Sequence, residues 1–252
     1  MKVKLLTYTP VPAEIVATAG RTCYSRFTPE SIYQDMSWGK AVSYLPKFHG
    51  SCFEHISFTF AISGVSRACT HQLVRHRVGV AFSQQSQRYV DIHKTWKNIV
   101  IPPTVQSVLN DEDELYECVD KEPLRAAYKE YMDGLMKFIK ELDKHNIPSE
   151  DIRYFTPQGS TSNIVVTMNY RELIHFFGLR CCSRAQWEIR TMANEMLKQC
   201  KEQVPDLFTN VGAQCVQLGY CPEEKSCGRV PTLIQIKGGA NGSANKVRRV
   251  HS

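Results

Sequence analysis

The feature that most limits the folds open to this chain is the absence of any regular strand–helix–strand alternation. Long helical periodicities stand among a few separated runs of strand character. A doubly wound parallel sheet needs that alternation, so the pattern points to an α+β fold, a largely antiparallel sheet packed with long helices. Val3–Tyr8 reads as a first strand, closed by Thr9-Pro10-Val11-Pro12. Ile56–Ile62 alternates apolar with small or polar residues, the period of a half-buried strand, and Ile164–Met168 is a β-branched apolar run. Ser66 is placed to cap a helix running through Leu73, and Asn169 to cap a short one stopping near Gly178. Leu124, Tyr128, Tyr131, Leu135, Phe138 and Leu142 recur every three or four residues and mark the clearest helix, with Pro148 beyond its end. A further helix from Ala185 to Val204 is expected to bury Ile189, Met192, Met196 and Cys200 before Pro205.

With 252 residues the chain can bury a sizeable core, and 42% hydrophobic against 22% charged residues excludes wholesale disorder. The opening Met1-Lys2-Val3-Lys4-Leu5-Leu6 has too short an apolar run for a signal peptide, and no stretch approaches the ~18 apolar residues of a membrane helix. The chain reads as cytoplasmic, so its ten cysteines are expected as reduced thiols. A net charge of +6 suits anionic small molecules as well as nucleic acid and decides nothing alone. The organisation read from composition is a core over 1–204, a Cys/Pro/Gly-rich extension over 205–237 and a flexible basic tail over 238–252.

From His55 to Tyr89 there is no Asp, Glu or Lys, yet the segment carries Arg67, Arg75, Arg77 and Arg88. A guanidinium presents a planar fork of donors that matches phosphate oxygens in pairs, whereas an ammonium is a point charge. Ser83-Gln84-Gln85-Ser86-Gln87 adds neutral donors and acceptors, and Gly79 is read as letting the loop backbone approach a ligand. A nucleotide phosphate site is the favoured reading, against a solvated basic loop. Neither GxGxxG after a strand nor GxxxxGK[ST] occurs, so a dinucleotide would not be held in a Rossmann or P-loop manner.

Arg75-His76-Arg77 followed by Ser86-Gln87-Arg88-Tyr89 resembles the signature of flavin-dependent thymidylate synthases. Further segments occur in that family's order. Glu54-His55 opens the preceding strand, Gln72 precedes the triplet, and Arg153 stands ahead of Pro157. Asn169-Tyr170-Arg171, His175, Leu179-Arg180 and Ala185-Gln186-Trp187-Glu188 follow, so the resemblance spans roughly residues 50–200. Two departures are the Val78–Gln85 spacer, one residue longer than usual, and Thr156-Pro157 in place of Leu-Pro.

The resemblance implies methylation of dUMP to dTMP, with methylene-tetrahydrofolate as carbon donor and NADPH reducing FAD. It implies a homotetramer of single-domain subunits with active sites shared between copies, and neither nucleic acid nor membrane as a partner. By the same likeness, Arg88, Arg153 and Gln72 meet the dUMP phosphate, assisted by backbone amides around Ser86 and Gln87, with Gln84 and Gln85 alongside. Arg75 and Arg180 face the uracil, and Arg180 is the catalytic candidate. Ser57, Arg75, His76, Arg77, Gln84, Asn169, Arg171 and His175 are implied FAD contacts, and His55 a folate or nicotinamide contact.

Ser86 has no base and orienting acid in a neighbouring motif, so it reads as a substrate ligand rather than a nucleophile. Cys181-Cys182 beside Arg180 have neither metal nor redox spacing, and thiol attack is disfavoured. Cys215, Cys221 and Cys227, with Cys200 upstream, admit a structural zinc but equally fit reduced buried thiols, so no metal is assigned. The competing classes are an RNA-binding protein using the tail's Lys246, Arg248 and Arg249, and a flavoprotein that oxidises NADPH without carbon transfer.

Overall fold

Four strands, β1 (Lys2–Tyr8), β2 (Ser57–Ser66), β3 (Val80–Gln84) and β4 (Thr161–Asn169), form one sheet in the order β1-β2-β4-β3. The structure is a computed structural model describing residues 1–45, 49–90, 99–110 and 122–239. Every pairing is antiparallel. Tyr170 N–H donates to the Ile56 carbonyl at one end of the β2–β4 pair, and Arg67 N–H to the Ser160 carbonyl at the other, 2.9 and 3.0 Å. Asn169 N–H to Gly79 and Gln85 N–H to Asn163, both 2.8 Å, frame β3 against β4 in the same sense. Thr9 N–H donates to the Ser57 carbonyl while Met1 lies beside Gly64, which sets β1 against β2. The α+β expectation with an antiparallel sheet is met.

The periodic runs became strands, but β3 did not announce itself. It lies inside the segment read as a loop, and none of its five residues is fully buried, so it lacks the apolar alternation that marks β2. The local caps act as expected. Ser66 Oγ accepts from Cys69 N–H at 3.0 Å and opens the Arg67–Leu73 helix. Asn169 Oδ1 accepts from Glu172 N–H at 2.9 Å and opens the Tyr170–Arg180 helix. That helix ends at Arg180, near the expected stop at Gly178. Gly178 is buried within it, where a Cβ would come 3.3 Å from Gln217 Nε2, so its smallness serves packing rather than termination.

The Trp187–Gln203 helix starts on Gln186, whose side chain accepts from Glu188 and Ile189 N–H, and buries Ile189, Met192, Met196 and Cys200 as the periodicity requires. Pro205 ends it and begins the short Pro205–Phe208 turn of helix.

The residues fall into two compact units. One comprises 1–2, 61–75 and 82–165, the other 3–60, 76–81 and 166–252, and β2, β3 and β4 each supply residues to both. The second unit centres on Phe208, met edge-on by Phe58 at 5.2 Å and Tyr170 at 5.1 Å. Each such buried ring contributes on the order of 2 kcal/mol by area alone. In the first unit Ile139 and Ile152 pack with Ile99, Leu135, Met136 and Leu142.

The Glu122–Lys144 helix confirms the clearest periodicity, but of the stripe only Leu124, Tyr131 and Phe138, seven residues apart, lie open, at 48%, 60% and 44% exposure. No helix among the described residues is long and apolar enough to cross a membrane. The last described element is the Leu233–Gly239 helix, so the expected tail lies outside the described residues from 240 onward, as do its three basic side chains.

Candidate active site

In the second unit, three functional side chains form a hydrogen-bonded line. His76 Nδ1 lies 2.7 Å from Glu172 Oε1, and Arg180 Nε lies 3.1 Å from His76 Nε2. A guanidinium only donates, so Nε2 accepts from Arg180 and the imidazole proton stands on Nδ1, donated to Glu172. Burial lowers the His76 pKa below the ordinary histidine value. The bond to Glu172 pulls it back up and the Arg180 charge pushes it down further. His76 is therefore a neutral imidazole carrying the pull of a carboxylate to an arginine. Both acid and imidazole are buried, while Arg180 is only half-buried, and its terminal nitrogens are not used by that bond.

The fold fixes this line through one helix. Glu172 and Arg180 lie at the first and last turns of Tyr170–Arg180, and Phe176, between them, meets the His76 ring edge-on at 5.0 Å. His76, Glu172 and the exposed His175 present ligand-type atoms within 4.8 Å of one another. Both His76 nitrogens are already engaged and a guanidinium stands beside them, so an additional cation would have to break a bond and meet a like charge.

Gly79 adopts φ +68°, and a Cβ there would come 2.1 Å from Asn169 Nδ2. The close approach it permits within the chain is to the capping Asn169 side chain. Arg171 pairs with Glu54 at the surface. Arg75 and Arg77 are exposed and, among the described residues, have no carboxylate partner; His55 is exposed and Ser57 half-buried at the head of β2. Burial pushes the Cys181 thiol up to about 12, which makes it inert as a nucleophile near neutral pH.

The first unit holds a separate polar cavity of about 420 Å³. Arg67, His71, Gln84, Gln87, Arg153 and Thr156 line it. Gln84 is fixed there by donating from Nε2 to Thr70 Oγ1 and Ser162 Oγ, 3.0 and 3.1 Å. Arg153 donates from Nε to the Glu150 carbonyl at 2.9 Å.

Of the expected substrate residues, Gln84, Gln87 and Arg153 come together on this wall, whereas Gln72, Arg75, Gln85, Ser86 and Arg88 do not line it. Gln85 extends the sheet through its backbone, and Ser86 Oγ accepts from Arg88 N–H at 3.2 Å in a turn. Arg88 Nε pairs with Glu150 at 2.9 Å across solvent. The sequence reading passed over Thr70 and His71 and left Arg67 unassigned. Helical spacing carried the signal, since 67, 70, 71 and 74 share one face of the helix that Ser66 opens.

Comparison with known proteins gives one consistent answer. The family model described as thymidylate synthase complementing protein matches residues 4–206. A flavin-dependent thymidylate synthase of Nitratidesulfovibrio vulgaris is 43% identical over 243 residues, covering 91% of this chain and 95% of that one. One of Clostridium tetani is 43% identical over 248 residues, covering 94% and 96%. Among solved structures, the flavin-dependent thymidylate synthase ThyX of Helicobacter pylori, complexed with FAD and dUMP, is similar with a TM-score of 0.60. It is 24% identical over 84% of this chain and 99% of that one, a likeness of fold.

Proposed function

The chain belongs to the thymidylate synthase complementing protein family, and from that premise we propose that it converts dUMP to dTMP with FAD as cofactor. Methylene-tetrahydrofolate is the carbon donor in this reading and NADPH the source of electrons. The observation that carries it is family membership over 4–206, a span that includes both the polar cavity and the Glu172–His76–Arg180 line.

The chemistry of the donor set fits FAD. Arg75 and Arg77 offer exposed guanidiniums without a partner among the described residues, and Asn169, Arg171, His175, Gln84 and Ser57 add neutral and cationic donors. When bound, the flavin carries the hydride that completes the methyl group. The dUMP phosphate is assigned to Arg153, Gln87 and Arg88, with Gln72, Gln85 and the Ser86 hydroxyl in support. A cavity wall carrying Arg67 and Arg153 together supports an anionic ligand there.

Arg180 is assigned to the uracil with Arg75. Its Nε is committed to His76, which leaves the two terminal nitrogens to face the pyrimidine carbonyls. There the guanidinium stabilises the negative charge that develops when C5 becomes nucleophilic. His76 has both ring nitrogens occupied, so its part is to hold Arg180 in place rather than to contact the flavin through them. A neutral imidazole suits this, since a protonated one would repel Arg180 and lose the acceptor it needs.

Assembly as a homotetramer with shared sites belongs to the same proposal. The open stripe of Leu124, Tyr131 and Phe138 on one helix supports it, since apolar side chains repeating on one face gain from burial against another copy.

The experiment loads purified protein with FAD, desalts it and records its visible spectrum with and without dUMP. Retained flavin whose spectrum shifts with dUMP, and dTMP formed once methylene-tetrahydrofolate and NADPH are supplied, is the expected result. Protein that holds no flavin and forms no dTMP refutes the reading.

A further inference from the structure

The segment after residue 210 holds thiols that the proposed reaction does not use. Cys182, Cys215, Cys221 and Cys227 line one cavity of about 300 Å³ in the second unit. Cys200, the upstream residue that spacing suggested as a partner, is fully buried in the Trp187–Gln203 helix and is absent from that wall. The fourth member is instead Cys182, two residues beyond Arg180.

Local structure turns each late cysteine toward a tight loop. Cys215 sits in the Gln214–Leu218 helix, whose end is turned by Gly219 at φ +76°. Cys221 N–H donates to the Pro231 carbonyl at 2.9 Å, closing the loop on itself. Cys227 is followed by Gly228 at φ +80°, whose N–H donates to Ser226 Oγ at 3.1 Å.

Between Gly219 and Pro231 there is neither helix nor sheet strand, and Cys221 is the only buried side chain, so the loop has little core of its own. The Arg184–Glu223 pair at 2.6 Å ties it down, but an exposed ion pair contributes at most about 1 kcal/mol. A loop this poor in core needs a staple.

We propose that Cys182, Cys215, Cys221 and Cys227 form a four-thiolate site for one zinc-type divalent ion, which staples this loop to the end of the helix carrying Arg180. The electrostatics agree. Cys182, Cys215, Cys221 and Cys227 face one cavity, where four negative thiolates would repel one another without a cation between them. Four thiolates around a divalent ion leave a net negative centre, and Arg180, Arg184 and Arg229 line the same cavity.

Sulfurs on a tetrahedral zinc stand about 3.8 Å apart. Among the described residues no three of these thiols lie within 4.8 Å of one another, so binding draws them inward by side-chain rotation. Each ligating thiol releases its proton to solvent as the ion enters.

The test measures metal content of the full chain, purified under reducing conditions from zinc-supplemented cells, by elemental mass spectrometry. About one zinc per chain is expected, falling below about a tenth in the Cys221→Ser/Cys227→Ser variant and unchanged in Cys200→Ala. If the double variant does not fold, the wild-type chain is titrated with a chelator while its melting temperature is followed, and a fall as zinc leaves is expected. Wild-type protein without zinc, zinc retained by a folded double variant, zinc lost from a folded Cys200→Ala, or a melting point indifferent to the chelator would each overturn the proposal.

Discussion

The two regions that carry the candidate chemistry are built in opposite ways. In one, Glu172, His76 and Arg180 make a line whose first two members are buried, with each ring nitrogen of His76 committed to one partner. In the other, Arg67, Arg153, Gln84 and Gln87 line an open polar cavity, while Arg88 pairs with Glu150 at the exposed surface beyond it. The difference matches two tasks. Stabilising a developing charge rewards a donor fixed in advance, because a donor that must reorganise gives back what it gains. Holding a phosphate asks only for several charge-assisted donors, and exposed arginines supply those with modest individual effect.

The largest separation between the regions is expected in turnover. Arg180→Ala should lower the rate of dTMP formation by about 10³-fold while FAD stays bound, measured by product formation and flavin absorbance on the same sample. Near-normal turnover in that variant would erase the contrast.

Next in size is Gly79→Ala. The new methyl group overlaps Asn169 and forces φ +68° on an L residue, so a loss of about 2 kcal/mol in stability is expected from denaturant unfolding. An unchanged midpoint would mean the chain around the buried line yields more easily than its packing implies.

In the open region, Arg88→Ala should raise the KM for dUMP about tenfold with kcat little changed. Its exposed pair with Glu150 contributes at most about 1 kcal/mol, so the melting temperature should hardly move. A fall in kcat as large as the rise in KM would put Arg88 in the buried region's role.

The smallest effect is on stability against pH. The His76 pKa is lowered in the folded chain, so below the ordinary value of 6.5 the unfolded chain takes up a proton that the folded one refuses. This contribution is present above that value and is lost as pH falls toward the folded pKa. Melting temperatures from about pH 8 to about pH 5 should decline more steeply for the wild type than for His76→Gln. Parallel curves would show that His76 is not neutral by burial.

What could be read from the sequence was what neighbours along the chain decide. Ser66 and Asn169 act within three residues of themselves, and the buried faces of β2 and of the Trp187–Gln203 helix follow periods of two and 3.6. β3 was hidden because it is short and half-exposed. Gly178 marked the end of its helix to within two residues, but its contact with Gln217 was not legible, since a glycine that ends a helix and one that admits a neighbour look alike in sequence. The arginines and His76 were legible as candidates, chiefly through a family resemblance. Their partners were not, since Glu172 lies 96 positions from His76 and only the folded helix brings them together. The same holds for the thiols, where Cys200 was nearer in sequence and Cys182 shares the cavity.

A double-mutant cycle tests most directly whether His76 acts through Arg180. Turnover would be measured for His76→Asn, Arg180→Ala and the pair together, each loaded with FAD to the same extent. If His76 only holds the guanidinium, the double variant should be no slower than Arg180→Ala, because the group being held is already gone. Losses that multiply across the two substitutions would show that His76 serves the reaction independently and would contradict the account.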